Sequence, residues 1–142
     1  MSRLSTARML VTLPALFLAL GPPIADLNAT HVANPLWAGH ARLHTMWLIS
    51  TNSLVMIVAL RLLWSGPPVR RTVLLASVLV GAVVLGFFIA AATQSLYGGT
   101  LTDPNGIPFR VGPLDANLAG FGFLAVVLTI AVGSAWKAHE AA

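Results

Sequence analysis

The chain has 142 residues, 57% hydrophobic and only 8% charged, with a formal net charge of +4 and no cysteine. Soluble domains carry about 25% charged residues, so this composition excludes a water-soluble fold without large exposed apolar patches. Absent cysteine excludes disulfides, thiolate nucleophiles and Cys-ligated metals. The basic residues flank apolar segments and form no run, which argues against nucleic acid. What remains is an all-α integral membrane protein: one domain, 1–142, forming a four-helix up-down bundle.

The first span is predicted over 4–24. Arg3 and Arg8 precede MLVTLPALFLAL; Pro14 predicts a kink, and Gly21-Pro22-Pro23 reads as the helix end. This start resembles a signal peptide. However, neither Pro23-Ile24-Ala25 nor Leu27-Asn28-Ala29 makes a small-x-small cleavage site, so an uncleaved span is expected.

The second span is predicted over 35–64. Asn34 reads as its N-cap and Pro35 as its first helical residue. At about 30 residues and 1.5 Å each it would be longer than the roughly 30 Å hydrocarbon core, so its first turns would project into the headgroups. Spaced at 100° per residue, Trp37, His40, His44, Trp47 and Thr51 fall on one stripe, with Arg42 behind it. Ser65-Gly66-Pro67-Pro68 ends the span.

The third span is predicted over 72–96. Ala82, Gly86 and Ala90 sit four apart, a spacing that lets two helices approach closely in lipid. Gln94 closes its far end, and Asp103-Pro104-Asn105-Gly106 is a turn signal. The fourth span is predicted over 113–136, with Asp115 and Asn117 in its first turns and Ala116 and Gly120 as a second small pair.

Lysine and arginine placement sets the orientation. With both termini inside, Arg3, Arg8, Arg61, Arg70, Arg71 and Lys137 are cytoplasmic, and only Arg42 and Arg110 lie outside. The polar cluster then faces outward from a multi-pass protein of the cell membrane, by expectation a bacterial inner membrane.

His40 and His44, at i and i+4, can converge on one ion or one substrate. A metal site needs a third ligand: His31 or Asp26 from the preceding loop, or Asp115. Imidazole with carboxylate would take a transition metal such as zinc, iron or copper. As acid/base groups histidines suit neutral pH, because the ordinary imidazole pKa is about 6.5. The leading expectation is a membrane-embedded enzyme acting on a lipophilic small molecule. In its catalytic set His40 and His44 would be acid/base groups or metal ligands and Arg42 and Asp26 would orient them, and Trp37, Trp47, Gln94, Asp115 and Asn117 would line the substrate pocket. The rival is a non-catalytic accessory subunit of a membrane assembly, or a small carrier. The blander readings are snorkelling for Arg42, an interfacial aromatic belt for Trp37, Trp47 and Tyr97, and interhelical hydrogen bonds for Gln94, Asn117 and Asn52.

Asp26, His31, Asn34-Pro35, Trp37, His40-Ala41-Arg42 and His44 together form a block that resembles the signature of short, four-span, largely uncharacterised membrane proteins of bacteria and fungi. The resemblance is confined to residues 26–44; the other helices match in hydropathy alone. It implies the four-span fold and no mechanism. In span count the chain also resembles sterol-isomerase-like and DoxX-like proteins, but the mid-membrane acidic residues of the sterol isomerases are missing.

Overall fold

The computed structural model describes residues 2–102 and 110–138, and its backbone is dominated by four helices. They are α1 (Arg3–Asp26), α2 (Gly39–Trp64), α3 (Arg70–Thr93) and α4 (Ala116–Trp136). A 3-10 turn, Gln94–Leu96, prolongs α3. A two-stranded antiparallel hairpin, β1 (Arg110–Val111) and β2 (Leu114–Asp115), leads into α4, with Arg110 opposite Asp115. Gly112 makes its turn at φ +60, a conformation that costs glycine nothing. The Asp103-Pro104-Asn105-Gly106 turn signal lies outside the described residues. All four helices are long and apolar enough to cross a membrane, which is compatible with a small multi-pass membrane protein.

Three helix boundaries differ from the sequence reading, each for a local reason. Gly21-Pro22-Pro23 does not end α1, which continues to Asp26 with all three prolines inside it. A proline lacks the N–H that would bond the carbonyl four residues earlier, so Pro23 frees the Ala19 carbonyl. Ser53 on α2 donates its hydroxyl to that carbonyl at 3.1 Å. In a bilayer, prolines inside helices are tolerated where a neighbouring Ser or Thr meets the freed group in this way.

The second helix begins at Gly39, not at Pro35. Asn34 does cap, but it caps a turn. Its Oδ1 accepts from the Leu36 N–H at 2.9 Å, and its Nδ2 donates to the Thr30 carbonyl at 3.1 Å. With both ends of the amide engaged, Asn34 is buried and ties the loop between α1 and α2 together. The fourth helix begins at Ala116, not near Pro113. Asp115 is its N-cap, accepting from the Asn117 N–H at 2.8 Å.

α1 packs against α2, α3 and α4, and α3 packs against all the other helices; α2 and α4 do not meet among the described residues. The start of α1, the α2–α3 turn and the end of α4 are tied together by arginines. Arg3 donates to the Lys137 carbonyl at 2.8 Å, Arg8 to the Gly66 carbonyl at 3.2 Å, and Arg70 to the Ala138 carbonyl. Arg8 also lies 4.1 Å over the Trp64 ring, whose N–H donates to Thr12.

The core is weighted toward the end of the bundle that these arginines tie together. It is built from Ala7, Val11, Ala15 and Leu18 of α1, Met56, Ala59 and Leu63 of α2, Val73, Ala76, Val80 and Val84 of α3, and Leu124, Leu128, Ala131 and Ala135 of α4. The alanines let the backbones come close, which is how helices adhere where lipid removes the hydrophobic drive. Beyond Leu18, Val84 and Leu124, toward the other end of the bundle, Ile49 is the one buried residue among the described helical residues. There Phe87 of α3 stacks on Phe121 of α4 at 3.9 Å. The small-residue stripe of α3 takes no part in the core. Ala82, Gly86 and Ala90 are exposed, and a Cβ built on Gly86 would meet nothing within 4 Å. Hydropathy is high on every side of α3, so spacing alone did not reveal which side packs.

Candidate functional site

The histidine-bearing stretch folds as two separate clusters. The first is the loop between α1 and α2. Asn28 accepts on Oδ1 from both the N–H and the hydroxyl of Thr30, at 2.8 and 2.6 Å. The Asn28-Ala29-Thr30 sequence is thus an Asx turn. Thr30 Oγ1 also lies 2.7 Å from His31 Nδ1. A hydroxyl has one proton, and Asn28 takes it; His31 Nδ1 is therefore the donor to Thr30. The other ring nitrogen, Nε2, stands 3.8 Å from Asp26 Oδ1. Trp37, which precedes the helix, meets the His31 ring edge-on at 5.4 Å. Asp26, His31 and Trp37 accordingly brace one another and the loop. Thr30 and Asn34 complete this cluster. Thr30 was missed in the sequence, although the Asn28-x-Thr30 spacing could have pointed to it, and Asn34 was legible as a cap but not as a buried strut.

The second cluster stands on the first two turns of α2. His40 and His44 bring their Nε2 atoms to 3.0 Å, with their rings nearly perpendicular. The i, i+4 spacing delivers this directly. One ring must present Nε2–H and the other a bare Nε2. Trp47 follows, its ring 5.8 Å from that of His44. Both histidines are exposed, and Trp47 is 65% exposed. Arg42 folds back over Gly39 and makes no hydrogen bond or ion pair with a described residue. Thr51 lies further down the same face, also exposed.

The remaining pocket candidates gather at the start of α4. Asp115 Oδ2 accepts from the Thr102 hydroxyl at 3.2 Å while Oδ1 caps the helix. Asn117 Nδ2 donates to the Leu101 carbonyl at 3.3 Å. These side chains tie Leu101 and Thr102 to the start of α4. The Gln94 carbonyl accepts from the Tyr97 and Gly99 N–H groups, closing α3. The Tyr97 hydroxyl reaches back to the Ala90 carbonyl at 2.7 Å.

No family model, curated protein or solved structure matches the chain. The chemistry therefore rests on the geometry. Two nitrogens bound at about 2.0–2.1 Å to one tetrahedral ion stand about 3.3–3.4 Å apart. The His40–His44 pair is within a few tenths of an ångström of that separation, but its Nε2 atoms face one another in a hydrogen bond, so both rings would have to turn to share an ion. Among the described residues no third His, Asp or Glu joins it to form a metal-holding group. His31 and Asp26, the expected third ligands, are engaged with each other, and Asp115 caps α4.

Proposed function

We propose that the chain is a non-catalytic accessory subunit of a membrane assembly, and that the His40–His44–Trp47 face of α2 is what it presents to a partner subunit. In this reading it is an up-down bundle in the cell membrane with both termini cytoplasmic. The supporting asymmetry is that of Arg3, Arg8, Arg61, Arg70, Arg71 and Lys137 against Arg42 and Arg110. The same reading takes residues 26–44 as the block shared with short four-span membrane proteins.

The observation that carries the proposal is the exposure of a mutually bonded histidine pair on the half of the bundle where buried residues run out. An enzyme pocket is concave and encloses convergent polar groups. Here the described polar groups divide between two loops and one convex helix face, and those of the loops bond within their own loop. An exposed tryptophan on a helix face is instead what protein interfaces use as an anchor.

The test is a photo-crosslinking amino acid at Trp47, in the native membrane, with the same probe at lipid-facing Leu85 as control. A discrete heavier adduct from position 47 alone is expected. It should disappear in His40→Ala/His44→Ala while the bundle's thermal stability is unchanged. An adduct of only twice the chain's mass would make the partner a second copy and remove the accessory role. Loss of a turnover in the double variant with the adduct intact would restore the enzyme reading.

A further inference from the structure

The basic end of the bundle carries a feature that the histidine face does not explain. Between the end of α2 and the start of α3 lies an open groove of about 600 Å3. Its walls come in two rows. Val58 and Leu62, one helical turn apart on α2, face Val69 at the start of α3. Beside them run Arg61 and Ser65, also one turn apart, and Thr72. The groove is thus apolar along one row and polar along the next, and it opens at the end of the helices where a bilayer's headgroups would lie.

The polar row has a definite hydrogen-bond character. Ser65 spends its hydroxyl proton on the Arg61 carbonyl, and Thr72 spends its own on the Val69 carbonyl. Both oxygens keep lone pairs and have no proton left to offer. The row's donors are those of the Arg61 guanidinium, which makes no hydrogen bond or ion pair with a described residue. Arg8 reaches the same turn from α1, donating to Gly66 and stacking on Trp64. Arg3, Arg70, Arg71 and Lys137 stand at the same end of the bundle without lining the groove. The described acidic residues, Asp26 and Asp115, lie at the opposite ends of α1 and α4.

We infer that this groove seats an anionic phospholipid of the adjoining leaflet. Its phosphate meets Arg61, its headgroup hydroxyls donate to Ser65 and Thr72, and the upper part of an acyl chain lies along Val58, Leu62 and Val69. Charge selects an anion, since a free guanidinium stands amid cations with no described carboxylate near. The apolar row favours a lipid over a soluble phosphate, because Val58 and Leu62 offer contact to an acyl chain that a free phosphate ester does not have. The acceptor-only hydroxyls suit a hydroxylated headgroup such as glycerol. The inference does not rest on the function of the histidine face, nor on which side of the membrane the basic end occupies.

Native mass spectrometry of the full chain in detergent tests it, with phosphatidylglycerol and phosphatidylcholine as probes. Phosphatidylglycerol should bind in preference, and Arg61→Gln should weaken it about fivefold, the worth of one cation near an anionic lipid. Val58→Trp should weaken it by filling the apolar row. Arg71→Gln removes the same charge at the same end but outside the groove, and should leave binding unchanged. Equal losses in Arg61→Gln and Arg71→Gln would mean a diffuse positive field and no site. Equal binding of the two lipids would remove the charge selection. If soluble glycerol phosphate displaced the lipid at comparable concentration, the site would belong to a free phosphate ester.

Discussion

Ser53→Ala tests how α1 survives its prolines. The substitution removes the hydroxyl that meets the Ala19 carbonyl, across a separation of 34 residues, and leaves the small side-chain volume almost unchanged. Interhelical hydrogen bonds in membranes average about 0.6 kcal/mol and reach about 1.7. This one sits toward the upper part of that range, because its loss leaves a half-buried carbonyl with no N–H of its own helix in reach. The expected cost is about 1–1.5 kcal/mol. The decisive version is a double-mutant cycle with Pro23→Ala, which restores the missing N–H. In that background the Ala19 carbonyl bonds within its own helix, and Ser53→Ala should cost only a few tenths of a kcal/mol, giving a coupling of about 1 kcal/mol. Reversible unfolding in mixed micelles, followed by tryptophan fluorescence, gives the four free energies. Equal costs of Ser53→Ala in the two backgrounds would refute the reasoning, since the hydroxyl would then not be substituting for the proline's absent donor.

The two faces of α3 should respond oppositely to the same added bulk. Ala76→Leu, at a fully buried position, is expected to destabilise by about 1–3 kcal/mol through overpacking, whereas Gly86→Leu should be neutral or slightly stabilising; a large loss at Gly86 in micelles would reveal a packed interface there. Asn34→Ala should cost about 1–2 kcal/mol locally, read as faster hydrogen exchange at the 31–37 amides with the helices unaffected; unchanged exchange would show the amide not to be the loop's strut. Zinc titrated into the detergent-purified chain should raise its thermal stability by about 2.7 kcal/mol at a hundredfold excess over the dissociation constant, and either His40→Ala or His44→Ala should abolish the rise. His31→Ala should leave that zinc effect intact; its loss there would bring His31 to the metal and overturn the two-cluster description.

How much of this protein was legible in its sequence follows from the range of the interactions involved. Hydropathy and breakers act over a few residues, so the four apolar helices and the Ser65-Gly66-Pro67-Pro68 stop could be read directly. The His40–His44 contact could be read too, because a helix places i and i+4 together whatever surrounds it. Two local signals misled, and in each case tertiary structure supplied the difference. Gly21-Pro22-Pro23 looks like a helix end until Ser53, far along the chain, donates its hydroxyl to the Ala19 carbonyl. Asn34-Pro35 looks like a helix start until the Thr30 carbonyl and the Leu36 N–H engage both ends of the Asn34 amide. The faces of the helices were the least accessible. A span apolar on every side carries no stripe to say which side packs, so Ala76 and Ala59 in the core could not be told from Ala82 and Ala90 outside it. The same limit applies to the histidines. Sequence placed Asp26, His31, His40 and His44 within one stretch, but only the fold divided them. A loop that satisfies its own polar groups kept Asp26 and His31, and the first turns of α2 carried the other pair out to the surface.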